Sequence, residues 1–299
     1  MMQAAAERIR SRLDGGLVPA VPVPFRGRVF DPAALAGYTR WMAAHAIAGV
    51  AVNVHTGRGR HLAGQVRRDV LTAWRTALPD RLLIAGAWSE ASAAEARDLG
   101  ADAVLAFAPK NGEPVAYHAA LATHLPVLAF YLYEAAGGRG YTDAELRSIL
   151  ELPGVVGVKV ATLDSVMTFQ RVAALCSAVP HTLLVTGEDR FLGYSLLLGA
   201  RGALIGMGAA VTDLQVELLR AGAARDWLRF VQLAQVLDRF GAATFTDPME
   251  GYIRRMLWAA AEEGAIPADA CDDPWGPALD SAERELVRRA VHDARAALG

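Results

Sequence analysis

GVVGVKVAT, residues Gly154 to Thr162, decides how this chain is read. Apolar, β-branched runs of this kind form strands buried on both faces of a parallel sheet, and a lysine in the middle breaks the pattern. Composition sharpens the anomaly, because the 30 basic residues comprise 28 arginines and two lysines, Lys110 and Lys159. A guanidinium stays protonated, whereas a buried ammonium can lose its proton and become a nucleophilic amine. The plain alternative is a lysine that snorkels from a strand end or pairs with a carboxylate.

Seven other runs share the strand pattern: LVPAV from Leu17, GVAVN from Gly49, LLIAG from Leu82, AVLAF from Ala103, VLAFY from Val127, TLLVT from Thr182 and GALIG from Gly202. Between them lie helical segments such as DPAALAGYTRWMAAH, SEASAAEARDLG, TDAELRSILE and TDLQVELLRAG, several opening on an Asp, Ser or Thr cap. Eight strands alternating with helices predict an α/β fold of the (β/α)8 TIM-barrel type. An open doubly wound sheet predicts a GxGxxG after the first strand, and PVPFRGRVFD has none. Past Ala223 the strand runs stop and helical stretches follow around Asp226 to Phe240, Pro248 to Glu263 and Asp280 to Leu298. The expected organisation is a barrel over 1–223 with a C-terminal helical extension over 224–299.

At 299 residues and 53% hydrophobic content the chain can bury one large barrel core. A net charge of -2 without a basic block argues against nucleic acid or an anionic membrane as partner. Cys176 and Cys271 lack metal-ligand spacing, so neither a disulfide framework nor a structural metal is expected. The first residues lack a continuous apolar segment of signal type, and runs such as ALIGMGAAV are too short to cross a bilayer. A cytoplasmic protein is the expectation.

Barrels of this type place chemistry at the C-terminal ends of their strands. Lys159 falls there on the sixth strand. On the fifth, VLAFYLY puts Tyr131 and Tyr133 two residues apart, hence on one face, with Phe130 on the other. A phenol beside a desolvated amine can relay protons during carbon chemistry on an imine. After the second strand, NVHTGRGRHL carries His55, Thr56, Gly57 and Arg58, where a hydroxyl and free backbone N–H groups suit a carboxylate.

With these residues in view the chain resembles the dihydrodipicolinate synthase / N-acetylneuraminate lyase family, Schiff-base enzymes on a (β/α)8 barrel with a helical extension. The likeness runs through GLVPAVPVPF, HTGRGRHL, GADAVLAFAP, LPVLAFY, GVVGVKVAT, VTGED and GARGALIG. It implies Lys159 as the imine-forming lysine and Tyr131, 28 residues earlier, as proton relay, with Tyr133 as the fallback should the strand register shift. It further implies Thr56 and Gly57 as the holders of a 2-oxo acid carboxylate, and Leu204 and Ile205 as backbone lining the same pocket. No metal or organic cofactor is implied, and a homo-oligomer, tetramer or dimer, is.

Departures from the family pattern bear on specificity. His55 stands where a first threonine is expected and could take over the proton relay, or be a histidine hydrogen-bonded within the loop. Arg58 replaces an acidic residue and could meet a second substrate carboxylate, or be a solvated loop residue. Lys110-Asn111 occupy the place of paired tyrosines, and Ala135 and Ala136 precede Arg139 where an arginine is expected earlier. These losses argue against true dihydrodipicolinate synthase activity while leaving the 2-oxo acid half-site. Lys110 reads most simply as an exposed loop residue, although its position at the end of the fourth strand makes it a candidate to meet an acidic substrate. Two rival readings stay open: a phosphosugar aldolase or isomerase using the Gly-rich turns TGEDR and GMGAAVTD, and a binding or regulatory protein that has lost turnover.

Overall fold

The computed structural model describes residues 2–297, so Met1 and the last two residues of the expected extension lie outside it. All eight strand runs form strands: β1 (Leu17–Pro19), β4 (Gly49–Val52), β5 (Leu82–Ala87), β6 (Ala103–Phe107), β7 (Val127–Leu132), β8 (Val155–Ala161), β9 (Leu183–Thr186) and β10 (Gly202–Ile205). A short antiparallel hairpin of β2 (Phe25–Arg26) and β3 (Val29–Phe30) follows β1. The eight parallel strands run in the order β1-β10-β9-β8-β7-β6-β5-β4, and a bridge between Ala20 and Ala51 brings the two edges together. Helices alternate with the strands, and the architecture is a TIM barrel.

Local chemistry accounts for the helix boundaries. Asp31 caps α2 (Pro32–Ala43), Ser89 caps α4 (Glu90–Asp98) and Thr142 caps α6 (Asp143–Leu150), the last two in reciprocal capping boxes. Helix α9 (Thr212–Ala224) differs: Thr212 is its first helical residue and turns its hydroxyl to the Gly208 carbonyl, 2.8 Å away. Helix α1 (Met2–Leu13), not anticipated from sequence, sends Ala6, Ile9 and Leu13 into the cluster that fills the barrel interior. Beyond α9 come α10 (Trp227–Thr244), α11 (Tyr252–Glu262) and α12 (Ser281–Ala296). Among the described residues no helix is long and apolar enough to cross a membrane.

Two hydrophobic clusters divide the core. Leu82, Ile84, Leu105, Leu128, Phe130, Val185 and Leu204 belong to the inner one, whereas Val50, Val104, Val127, Val158 and Val160 pack outward against the helices. Strand β8 departs from simple alternation. Val127 pairs with Val155 but Leu128 pairs with Gly157, so one extra residue is accommodated on β8 at Val156. This bulge inverts the facing of everything after it, and Lys159 thereby turns into the barrel.

Candidate active site

Lys159 is buried, and its Nζ lies 4.3 Å from the centroid of the Phe130 ring, the residue paired with it on β7. Its aliphatic stem passes Gly187, where a Cβ would stand 2.4 Å from Lys159 Cε. Burial drives the ammonium pKa down from its ordinary value, against the fields of Asp189 and Glu188. Asp189 is also buried, and desolvation pushes its carboxyl up although Oδ1 accepts the Met207 N–H at 2.7 Å. For both groups, burial favours the neutral form. Glu188 faces the start of the loop after β8, accepting from Thr162 N and Leu163 N at 2.7 Å and from the Thr162 hydroxyl at 2.9 Å.

Around the lysine lies a chamber of ≈ 20 Å³ whose walls include His55, Thr56, Tyr133, Leu163, Asp189 and Tyr252. Above it, at the C-terminal ends of the strands, opens a mouth of ≈ 430 Å³. His55 and Val54 belong to both walls.

Tyr133 reaches this chamber and Tyr131 does not, which corrects the expectation that they share a face. Tyr131 lies on the outward side of β7, its hydroxyl accepting from Arg171 Nη2 at 3.1 Å and its ring packed on Tyr141. Strand pairing ends at Leu132 and the backbone turns into a short 3-10 helix over Glu134–Ala136, so period-two alternation no longer governs Tyr133. Its ring packs with the inner cluster, and its hydroxyl donates to Glu250 Oε1 at 2.9 Å. Burial, reinforced by Glu250, raises the phenol pKa and keeps it protonated.

The turn after β4 contributes the opposite wall. Thr56 Oγ1 lies 3.0 Å from the Tyr252 hydroxyl, and the N–H groups of Thr56 and Gly57 have no backbone acceptor among the described residues. Gly57 sits tightly there, since a Cβ would be 3.1 Å from the Val21 carbonyl oxygen. His55 stacks on Tyr252, which in turn stacks on Phe245 at 4.7 Å between centroids. His55 Nε2 donates to Glu250 Oε1 at 3.0 Å, the oxygen that Tyr133 also uses.

Arg58 is neither solvated nor free for a substrate. It is 8% exposed, binds Asp273 through Nη2 at 2.7 Å, and binds Glu250 Oε2 through Nη1 at 2.8 Å. Burial presses on Glu250 upward, but the hydrogen bond and charge of His55, then Arg58, overcome it and hold the carboxyl at about 2. Leu204 and Ile205 are likewise corrected as cavity lining. Leu204 is fully buried in the inner cluster, Ile205 turns outward and gives its carbonyl to Ala20 N at 2.9 Å, and the next residue, Gly206, lines the chamber.

Sequence reasoning missed Phe245, Glu250, Tyr252 and Asp273, all from beyond residue 223, and Asp189. For Phe245, Glu250 and Tyr252 there was a local signal: TFTDPMEGY, residues 244–252, is a polar and aromatic break between helical stretches. Among the described residues no group of three or more His, Cys, Asp or Glu side chains could hold a metal ion.

No family model matches the chain. It is 26% identical over 298 residues to the 4-hydroxy-tetrahydrodipicolinate synthase of Phenylobacterium zucineum, covering 93% of this chain and 97% of that protein. The chain is a distant relative of the dihydrodipicolinate synthases, similar to them over nearly its whole length. Solved structures agree on the fold. The dihydrodipicolinate synthase of Agrobacterium tumefaciens superposes with a TM-score of 0.83 at 22% identity, covering 96% of this chain and 99% of that one. YagE, a prophage protein of E. coli K12 solved in complex with pyruvate, superposes with a TM-score of 0.82 at 20% identity, covering 94% and 98%.

Proposed function

We propose that the chain is a member of the dihydrodipicolinate synthase / N-acetylneuraminate lyase family and a Schiff-base lyase or aldolase acting on pyruvate or a related 2-oxo acid. The observation that carries the reading is a buried lysine whose pKa is depressed by desolvation, set in a chamber between a phenol and a hydroxyl-bearing turn. The neutral Lys159 amine attacks the ketone carbon of the 2-oxo acid, giving a carbinolamine that loses water to form an imine. The protonated imine then draws in the electron pair of the bond one carbon removed, so that a C–C bond breaks to an enamine or the adjacent carbon loses a proton. Thr56 Oγ1 and the N–H groups of Thr56 and Gly57 hold the carboxylate and so orient the ketone.

Tyr133, rather than Tyr131, is the proton relay of this proposal, with His55 as its neighbour on Glu250 Oε1. Phenol proton transfer of this kind contributes on the order of 10²- to 10⁴-fold. The chamber of ≈ 20 Å³ has room for about one water, so substrate entry displaces side chains of its wall.

Dihydrodipicolinate synthesis itself fits poorly. Arg139 is tied to Glu145 at 2.8 Å, and Ala135 and Ala136 line the mouth where a cation is wanted. A phosphosugar substrate fits poorly as well: Glu188 and Asp189 fill the turn after β9, and Asp189 occupies the Met207 N–H that an anion would need. The division of the chain at residue 223 is part of the same proposal, with the extension lending Glu250 and Tyr252 to the site. So is self-association as a dimer or tetramer, supported by the exposed Trp227, Leu228 and Val231 on α10.

Release of pyruvate from a panel of 4-hydroxy-2-oxo acids, followed with a pyruvate-specific coupled assay, tests the proposal. Turnover that disappears in Lys159→Ala supports it; equal turnover in that variant, or release only from phosphosugars, contradicts it.

A further inference from the structure

We propose that the mouth of the barrel binds an anionic group at the far end of the substrate, through Arg60 and Lys110. The inference rests on the reading above, which fixes the near end of a 2-oxo acid at Lys159 and Thr56, and it names what the remaining part of that molecule carries. The chamber around the lysine is so small that even the keto acid end must displace its walls, and it leaves no room for the rest of the molecule. Whatever extends beyond it enters the mouth, whose wall includes Arg60, Lys110, Phe107 and Glu250.

Charge in that mouth is unevenly spent. Arg58 is saturated by two carboxylates, those of Asp273 and Glu250. Glu250 is saturated in turn by donors from His55, Tyr133 and Arg58. His61 stacks on Trp275, and burial with the nearby Arg58 lowers its pKa, so it adds little positive charge near neutrality. Arg60 and Lys110 remain. Both are exposed, they arrive from different loops, after β4 and after β6, and among the described residues neither has a carboxylate within 4.0 Å.

Most other arginines around this face are engaged: Arg67 on Leu62 and Glu95, Arg139 on Glu145, Arg171 on Asp143 and Tyr131. Two unengaged cations converging on one concave surface in a chain of net charge -2 form a local positive field. The ligand chemistry that answers it is a terminal carboxylate or phosphate on the part of the substrate beyond the bond that reacts. Phe107, Ala135 and Ala136 in the same wall suit the short carbon chain that would connect the two ends.

Imine trapping tests this, because it reads occupancy at Lys159 whatever bond the enzyme goes on to make or break. Full-length protein is reduced with borohydride in the presence of 2-oxohexanoate, 2-oxoadipate, or a 2-oxo acid of the same length ending in phosphate, and the concentration for half-maximal adduct is read by mass spectrometry. Two surface cations acting through charge-assisted hydrogen bonds, partly screened, predict half-trapping at about tenfold lower concentration for an anionic end than for the methyl end. Whichever of carboxylate and phosphate traps at lower concentration names the source. In the double variant Arg60→Ala/Lys110→Ala the advantage disappears while pyruvate traps as in the parent.

Equal trapping of 2-oxohexanoate and the anionic acids, with pyruvate trapping intact, overturns this inference alone. So does an advantage that survives in the double variant. Failure of every acid, pyruvate included, overturns the Schiff-base reading and this inference with it.

Discussion

Val156 and Val158 stand two residues apart on one strand and face opposite sides of it, Val156 inside the barrel and Val158 against the helices. Strict alternation would put them on the same face. The extra residue at Val156, seen where the pairing jumps from Val155 to Gly157, produces the inversion and delivers Lys159 to the interior. Gly157 permits it, because a Cβ there would stand 1.9 Å from the Leu183 carbonyl oxygen. Gly157→Ala should destabilise the fold by about 1–3 kcal/mol as strand β9 is pushed away. Urea unfolding, with trapping at Lys159 measured in parallel, checks this; an unchanged midpoint would mean that the strands give way without strain.

Gly187 guards the lysine more directly. A methyl group there would overlap Lys159 Cε at 2.4 Å and also crowd the Val160 carbonyl oxygen at 2.9 Å. Gly187→Ala should cut the rate of imine formation about 10²-fold, the scale expected for misplacing a reactive atom by an ångström. Circular dichroism should show the secondary structure retained, which separates a displaced amine from a lost fold.

The two tyrosines of β7 and its following turn give a paired prediction. Tyr133→Phe removes the phenol in the chamber and should lower turnover by roughly 10²- to 10⁴-fold. Tyr131→Phe removes a hydroxyl that accepts from Arg171 in the outer layer and should lower stability by about 1 kcal/mol with turnover kept. Steady-state rates of the two variants side by side decide between them; a larger loss in Tyr131→Phe would contradict the assignment.

Glu250 ties the extension to the barrel, and its titration should be visible in acid. Its carboxyl is held at about 2, below the ordinary 4.5, because His55 and Arg58 outweigh its burial. A depressed carboxyl contributes stability in full above pH 4.5, and that contribution is lost as pH falls toward 2. Glu250→Gln should therefore be less stable than the parent at neutral pH, with the difference shrinking across that acid window. Thermal unfolding from neutral pH down to the lowest pH at which both proteins stay folded measures it.

Much of the fold was legible in the sequence because parallel strands buried on both faces leave long apolar runs, and all eight runs became strands. The same property hid the facing of individual residues. In VVGVKVA every position is compatible with burial on either side, so the bulge at Val156 left no trace in the pattern. Tyr133 was hidden for a related reason, since alternation holds only while pairing lasts and β7 stops at Leu132. Arg58 read as a loop residue because its partners, Glu250 and Asp273, lie 192 and 215 residues further along the chain. Such long-range ion pairs have no local signature.

The central claim is that Lys159 is the amine that forms an imine with a 2-oxo acid. Borohydride reduction of the whole protein with pyruvate, followed by peptide mass spectrometry and with Lys159→Arg as control, tests it most directly. The account predicts a reduced pyruvyl adduct on the peptide containing Lys159 and none on Lys110 or in the control. An adduct elsewhere, or none in folded protein with any 2-oxo acid, would contradict it.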